Sequence, residues 1–214
     1  MPEASIDVWP AVHAEREALI ADLANLAPQQ WETPSLADEW SVHDVAAHLV
    51  DNALTTPWGL LRAMAKARFD FDRQNANGVA AARGATPAET LDRLRAVADR
   101  RTGPPTRLAA LESRLVEEIA HGEDIRGALG IRRDYPPAAV VAAIRYQART
   151  PDGMGGAASL AKQVTLVADD ADLRLGTGPE ISGSALALLM LVTGRHHALD
   201  ELTGPGLAFV TQTK

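Results

Sequence analysis

Apolar residues recur at helical spacing through the first two thirds of the chain, where alanine, leucine, arginine and glutamate dominate. In "VWPAVHAEREALIADLANL" they include Val12, Leu19 and Leu23, which fall close to a period of 3.6 residues. This spacing predicts a helix over 8–26 that ends before Pro28. The next stretch, "APQQWETPSLADEW", carries two prolines and no apolar period, so it is predicted as an ordered loop.

Local start signals place a second helix directly after this loop. Ser41 can accept hydrogen bonds from the free N–H groups of a helix start, and Asp44 suits the positive end of the helix dipole. The helix is predicted to run to about Arg68 with a kink near Pro57, because a proline ring does not fit an undisturbed helix interior. The stretch "FDFDRQNANGVAAARGA" is predicted as a polar connector.

Two further helices complete this part of the chain. Thr86 caps the first, over 86–101, with a proline at the first helical position and a glutamate at the third. The second covers 106–129, and Gly130 is a suitable terminator. Four helices separated by loops predict a helix bundle.

The pattern changes after "RRDYPP". A helix over 137–148 leads into a glycine-rich stretch, and the alternating runs "KQVTLVAD" and "ADLRLGT" predict a hairpin that turns at Asp169–Asp170. "SGSALALLMLVTGRHHAL" predicts a buried helix that is capped near Ser182 and ended by Gly194. "GLAFVTQT" predicts a final strand.

These elements divide the 214-residue chain near residue 135. We expect a mainly α protein, in which an α bundle over 1–135 is followed by a small α+β domain over 136–214. The composition agrees with a globular protein, since 46% of the residues are hydrophobic and 23% are charged.

Charge and apolar runs exclude several classes of partner. A formal net charge of −7 argues against non-specific binding to nucleic acid, whose phosphates need a basic face. No basic amphipathic stretch suggests a membrane surface, and the longest apolar run, "ALALLMLV", is too short to span a bilayer. The start of the sequence lacks a secretory pattern, so the expected location is the cytoplasm.

The sequence contains no cysteine, which restricts the chemistry open to the protein. Disulfides, zinc–thiolate sites and a cysteine nucleophile are all excluded. Any metal must therefore be held by histidine and carboxylate side chains, and any thiol must be brought by a ligand.

A glutamate and a histidine one helical turn apart are the first candidates for such a site. Residues four apart lie about 40° apart around the helix axis, so Glu117 and His121 can converge on one ion, with donor atoms that suit Zn²⁺. His48, beside the small Ala46 and Ala47, is a candidate third ligand on a facing helix. Three protein ligands would leave one coordination position open, as in catalytic zinc sites. The alternative is that Glu117 and His121 form a solvated surface pair.

Three other polar residues are weaker candidates for this site. Asp44 and Arg195 each have two interpretations, and the side chain of His43 is expected to point away from His48. Asp44 lies four residues before His48, where it serves as a helix-start residue or supports that histidine from behind. His43 lies about 140° around the helix from His48 and is predicted to point elsewhere. Arg195, at the end of the apolar helix, either complements the helix dipole or provides a guanidinium for a ligand carboxylate.

Three sequence blocks resemble one known family in the right order. "WETPSLADEWSVHDVAAHLVD", "LVEEIAHGEDIRGALG" and "LALLMLVTGR" resemble the mycothiol-dependent maleylpyruvate isomerase family, within the wider DinB-like superfamily. The resemblance extends from about Val12 to Phe209. It implies a DinB-like four-helix bundle that binds a divalent metal, usually zinc, and a smaller α+β domain. The family's metal triad of two histidines and one glutamate falls on His48, Glu117 and His121.

The resemblance also implies a reaction. The thiol cofactor would be mycothiol, and a thiol at the open zinc position loses its proton and becomes nucleophilic. In the isomerase, the thiolate adds to the double bond of maleylpyruvate, rotation follows, and expulsion gives fumarylpyruvate; an S-transferase would keep the adduct. Arg195 is the candidate match for an arginine of the smaller domain that is linked to activity.

The expected partners are therefore a small-molecule electrophile and a low-molecular-weight thiol, and the expected assembly is a monomer or a homodimer. Two other hypotheses stay open. The chain could be a non-catalytic metal-binding or ligand-binding module of the same fold, or a metal-independent structural or dimerising bundle.

Overall fold

The computed structural model describes residues 6–37, 39–106 and 109–211. Within this part the chain is mainly α, with one small sheet, as the sequence pattern predicts. It divides into two compact units: a helical unit over 9–133, and an α+β unit made of 134–211 together with the described residues before Trp9.

Six α-helices and one 3₁₀ helix belong to the described part of the helical unit. They are α1 (Val8–Ala24), the 3₁₀ helix (Pro28–Glu32), α2 (Val42–Leu54), α3 (Pro57–Lys66), α4 (Phe71–Ala82), α5 (Pro87–Val97) and α6 (Ser113–Leu129).

The predicted helix boundaries hold where a local side chain or a glycine defines them. The Ser41 hydroxyl accepts from the backbone N–H of Asp44, whose carboxylate in turn accepts from the N–H of Ser41. The Thr86 hydroxyl caps α5 in the same way. Gly130 ends α6 with a φ of 68°, in the left-handed region that glycine adopts without a steric penalty.

The predicted long helix from Ser41 to about Arg68 is wrong, because the chain breaks completely before Pro57. Thr55 ends α2 and Thr56 caps α3, both in extended conformation, and the Thr56 hydroxyl accepts from the N–H of Gly59. The α region is disfavoured for a residue before proline, whereas proline itself fits the first helical position. The result is two helices instead of a kink.

The prediction of a polar connector for "FDFDRQNANGVAAARGA" is also wrong, because most of this stretch forms α4. Val79 and Ala82 of α4 are buried in the core, and the helix packs on α2. Gly78 faces α2 so closely that a Cβ there would lie 2.2 Å from the Asp51 carboxylate. The predicted helix over 106–129 is shorter than expected and begins at Ser113.

The core of the helical unit is built around α2, which packs on α4, α5 and α6. Its buried apolar side chains come from the first 3₁₀ helix and from α1, α2, α4, α5 and α6, and include Leu19, Leu23, Val45, Leu49, Leu94 and Ile125. The small Ala46, Ala47 and Ala53 are fully buried on α2, so neighbouring helices can approach its backbone closely.

Buried ion pairs join α6 to α1. The Arg16 guanidinium donates to Glu118 at 2.7 Å, and both side chains are nearly inaccessible. Arg126 is fully buried and donates to Asp22 at 2.7 Å. Because Glu118 lies about 100° around α6 from Glu117, these pairs fix the rotation of the helix and with it the direction of Glu117.

The α+β unit places helices against a three-stranded sheet. Its elements are α7 (Pro137–Gln147), a 3₁₀ helix (Asp152–Met154), α8 (Ala158–Ala161), β1 (Thr165–Ala168), β2 (Arg174–Gly176), β3 (Glu180–Gly183), α9 (Ala185–Val192), a 3₁₀ helix (His196–Glu201) and α10 (Leu207–Thr211). The strand order is β2-β1-β3; β2 is antiparallel to β1 and β3 is parallel to it. The predicted hairpin is thereby confirmed.

One cap in this unit lies two residues later than expected, and one prediction is wrong. The cap of α9 is Ser184, whose hydroxyl accepts from Ala187, while Ser182 lies in β3 and pairs with Thr203. The predicted final strand is the short helix α10. The outer edge of β3 is already occupied by Thr203, and Gly204, with a φ of 111°, follows it before the chain enters α10.

Among the residues that the structure describes, no helix combines the length and the apolar character needed to cross a bilayer.

Candidate metal centre

Two histidines and one glutamate converge inside the helical unit. The Nε2 atom of His48 on α2 and the Nε2 atom of His121 on α6 each lie 3.5 Å from Oε2 of Glu117. The three ligand atoms are all within 4.8 Å of one another, and the two imidazole centroids are 4.7 Å apart. The structure thus brings together all three residues that the sequence analysis selects.

The distances from Glu117 to the two histidines fit a tetrahedral metal site. Two nitrogen or oxygen ligands bound to one Zn²⁺ at 2.0–2.2 Å are about 3.4 Å apart when the angle between them is tetrahedral. The two measured separations from the Glu117 oxygen are close to this value. A set of two imidazoles and one carboxylate also suits zinc and related divalent metals, and it leaves a fourth position for another ligand.

Hydrogen bonds set the direction of the His121 ring. Its Nδ1 lies 2.9 Å from Oδ2 of Asp124, a carboxylate one turn further along α6 that is fully buried. An ionised carboxylate only accepts, so Nδ1 carries the proton and the lone pair of Nε2 faces Glu117. A carboxylate behind a histidine is the usual support of a metal-binding imidazole.

Burial and the neighbouring groups of the cluster shift the pKa of His48 and the pKa of Glu117. Burial lowers the pKa of His48 below its ordinary value, although the nearby Glu117 carboxylate, which favours a protonated ring, opposes this shift. Burial alone would raise the pKa of Glu117, but His121 and His48, whose protonated rings would favour the charged carboxylate, outweigh it and hold that pKa well below its usual range. Neutral histidines and an ionised glutamate are the forms that bind a metal.

An aromatic wall closes one side of the cluster. The Trp40 ring lies 4.8 Å from the His48 ring and 6.2 Å from the His121 ring, measured between centroids. The loop that carries Trp40 is tied to α6, because the N–H of Leu36 donates to the carbonyl oxygen of Asp124 at 2.9 Å. The loop with Trp40 and the helix with Glu117 and His121 are therefore joined by a hydrogen bond.

Asp44 and His43 contact other residues than the cluster. Asp44 bonds to Ser41 and forms an ion pair with Arg83, so its structural role is the helix start and not the support of His48. His43 points elsewhere, as predicted, since its Nε2 lies 2.7 Å from the Thr90 hydroxyl.

Arg195 lies in the α+β unit, at the start of the 3₁₀ helix that follows α9. Its N–H donates to the carbonyl of Met190 and its guanidinium to the carbonyl of Thr193 at 3.0 Å. These contacts hold the backbone and side chain near the end of α9. A catalytic role for Arg195 stays a prediction.

Sequence reasoning missed Asp124, Trp40 and Asn52 as partners of the cluster. The Asn52 amide nitrogen lies 2.7 Å from Oε2 of Glu117 and 3.0 Å from Nε2 of His48. The available signal was spacing, because Asp124 and Asn52 lie three and four residues after the two histidines and so share their helix faces.

The fold and the cluster together define a class: a helix-bundle protein with an α+β unit and a two-histidine, one-glutamate site suited to a divalent metal. The sequence profile of the mycothiol maleylpyruvate isomerase N-terminal domain matches residues 12–126, more than half of the chain. The chain therefore belongs to the mycothiol maleylpyruvate isomerase family.

Solved structures of the mycothiol-dependent maleylpyruvate isomerase have a similar fold. A crystal structure of the mycothiol-dependent maleylpyruvate isomerase superposes with a TM-score of 0.63 at 16% sequence identity, and covers 93% of this chain and 92% of that one. A histidine-to-alanine mutant of that isomerase gives the same TM-score and coverage at 15% identity. No curated protein is significantly similar to the chain in sequence.

Proposed function

We propose that this protein is a divalent-metal enzyme that uses a low-molecular-weight thiol, mycothiol, to isomerise a maleylpyruvate-like electrophile. The observation that carries the metal part is the convergence of three lone pairs, from His48, Glu117 and His121, at distances that suit tetrahedral zinc. Membership of the family supports the thiol and the isomerisation.

In this proposal the three side chains hold the metal and the residues around them keep it correctly placed. A bound Zn²⁺ would act as a Lewis acid that lowers the pKa of a thiol at its open position. Asp124 keeps the His121 ring oriented, and Trp40 shields one side of the site from water. Arg195 is the proposed partner of a substrate carboxylate, since arginine suits bidentate recognition of that group.

The direct test uses protein purified without chelator. We expect about one zinc per chain, turnover of maleylpyruvate only when mycothiol is present, and a rise in melting temperature on adding mycothiol to the metal-loaded but not the chelator-treated protein. Product analysis separates the two reaction types, because an S-transferase would retain the thiol adduct. Absence of stoichiometric metal, or turnover that needs no thiol, would contradict the proposal.

Replacing Asp124 by asparagine tests the support of His121. The variant keeps the size of the side chain but removes the negative charge that faces Nδ1, so we expect roughly ten- to hundredfold weaker zinc binding with the fold unchanged. Competition with a chromophoric chelator measures the affinity. Asp92→Asn, which changes an exposed carboxylate on α5, is the control. Equal zinc affinities of the Asp124 variant and wild type would exclude this role.

A further inference from the structure

Asn52 stands between two of the three proposed metal ligands. It lies one turn after His48 on α2, and its amide nitrogen contacts both Oε2 of Glu117, at 2.7 Å, and Nε2 of His48, at 3.0 Å. The same two atoms are the ones that face a cation in the metal centre proposed above.

The hydrogen-bonding capacity of the Glu117 carboxylate determines which end of the Asn52 amide faces it. A glutamate at neutral pH is ionised and its oxygens only accept hydrogen bonds. The atom 2.7 Å from Oε2 of Glu117 must therefore be the NH₂ group, because an amide oxygen at that distance would place two acceptors against each other. Asn52 is thus the donor in this contact.

The same NH₂ group sets the tautomer of His48. A nitrogen 3.0 Å from a donor must accept, so the ring carries its proton on Nδ1, a buried atom that has no hydrogen-bond partner among the described residues. The Nε2 atom has a single lone pair. That lone pair can accept from Asn52 or bind a metal, but it cannot do both.

We propose that Asn52 competes with the metal ion: in the metal-free protein its amide hydrogens bridge His48 and Glu117, and a bound cation displaces the amide from His48. This inference rests on the proposed metal centre and adds a residue that acts on its affinity. Asn52 thereby stabilises the metal-free state and makes the metal easier to release.

The effect of Asn52 on metal affinity depends on which of its hydrogen bonds remain in the metal-free and in the metal-bound protein. The carboxylate oxygen has more than one lone pair, so Glu117 can bind a metal and still accept from Asn52. Loss of that bond therefore affects both states alike. The bond to His48 exists only in the metal-free state, so its removal destabilises that state alone and tightens metal binding.

The test measures the zinc affinity of chelator-treated full-length Asn52→Ala against wild type by competition with a chromophoric chelator. One net hydrogen bond corresponds to about fivefold tighter binding, within a range of roughly three- to tenfold. Asn25→Ala is the matched control, because its exposed amide donates only to the carbonyl of Ala21, and it should bind zinc as wild type does. Equal or weaker binding by Asn52→Ala would overturn the proposal.

A second measurement on the wild-type chain guards against a variant that misfolds. In ¹⁵N–¹H spectra of the metal-free protein, an amide proton of Asn52 should be shifted by its bond to His48, and added zinc should remove that shift. An Asn52 side-chain signal unchanged by saturating zinc would also overturn the proposal. Failure of wild type to bind zinc at all is a different result, which would overturn the metal centre itself.

Discussion

His121→Ala is expected to remove the metal from the protein. The substitution takes away one of only three proposed protein ligands, and His121 shares Glu117 with His48 at 3.5 Å. The loss of zinc affinity should exceed the roughly ten- to hundredfold that follows the loss of a supporting residue behind a ligand. Elemental analysis should fall from about one zinc per chain to none, and mycothiol-dependent turnover should be lost with it.

Matched variants separate this effect from a general change in the protein. His48→Ala and Glu117→Gln should lose the metal as well, since each removes one converging lone pair. His197→Ala removes an exposed histidine of the α+β unit and should keep about one zinc per chain. If His121→Ala and Glu117→Gln retained full metal content and thiol-dependent turnover, the cluster would not be the metal site and the structural-bundle hypothesis would gain support.

Arg16→Ala is expected to destabilise the helical unit by about 3–5 kcal/mol, because it leaves the buried Glu118 carboxylate without its cation. The guanidinium also donates to the carbonyl of Arg100 at 2.9 Å, so the chain after α5 loses a partner too. Urea denaturation followed by helical circular dichroism measures the change in the free energy of unfolding.

The pH dependence of this destabilisation has a defined sign. Burial raises the pKa of Glu118, and Arg16 opposes that shift. Without Arg16 the folded-state pKa rises further above that of the unfolded chain, so the folded state takes up a proton more readily and its stability falls as pH increases. The loss should therefore be smaller near pH 4.5 than at pH 7.5.

An exposed ion pair provides the control for Arg16. Arg95 lies 2.9 Å from Asp92 on the surface of α5, so Arg95→Ala should change the free energy of unfolding by about 0–1 kcal/mol. A double variant with apolar residues at positions 16 and 118 should recover much of the loss, because no unpaired charge remains. A loss below 1 kcal/mol for Arg16→Ala at pH 7.5 would show that the pair is not essential to the packing of α1 on α6.

The parts of the fold that local chemistry specifies could be predicted from the sequence. Ser41 and Thr86 each cap a helix with a hydroxyl that reaches only three residues ahead, and Gly130 ends α6 through its own backbone conformation. The hairpin of β1 and β2 is equally local, since it turns around Asp169 and Asp170. These features need no distant partner.

The wrong predictions concern segments whose conformation depends on distant residues. The residues of α4 include asparagines and a glycine, which are poor helix formers, and the helix is stabilised by packing against α2. Gly78 weakens the helical pattern, but a larger residue there would displace the Asp51 carboxylate, which lies 2.2 Å from the position of a Cβ. Likewise Ser182 is in a strand because Thr203 and β1 pair with it, and the same pairing leaves no edge of β3 for the last segment.

The candidate site also has features that the sequence specifies locally and features that depend on how distant residues pack. The sequence by itself determined the donor types, since a chain without cysteine can hold a metal only through histidine and carboxylate, and it placed Glu117 and His121 on one helix face. Only the tertiary structure decided that His48 meets them, because its distance from Glu117 depends on how α2 packs against α6. It also decided the roles of Asn52, Asp124 and Trp40, whose contacts depend on hydrogen-bond directions and ring positions that exist only after the helices have packed.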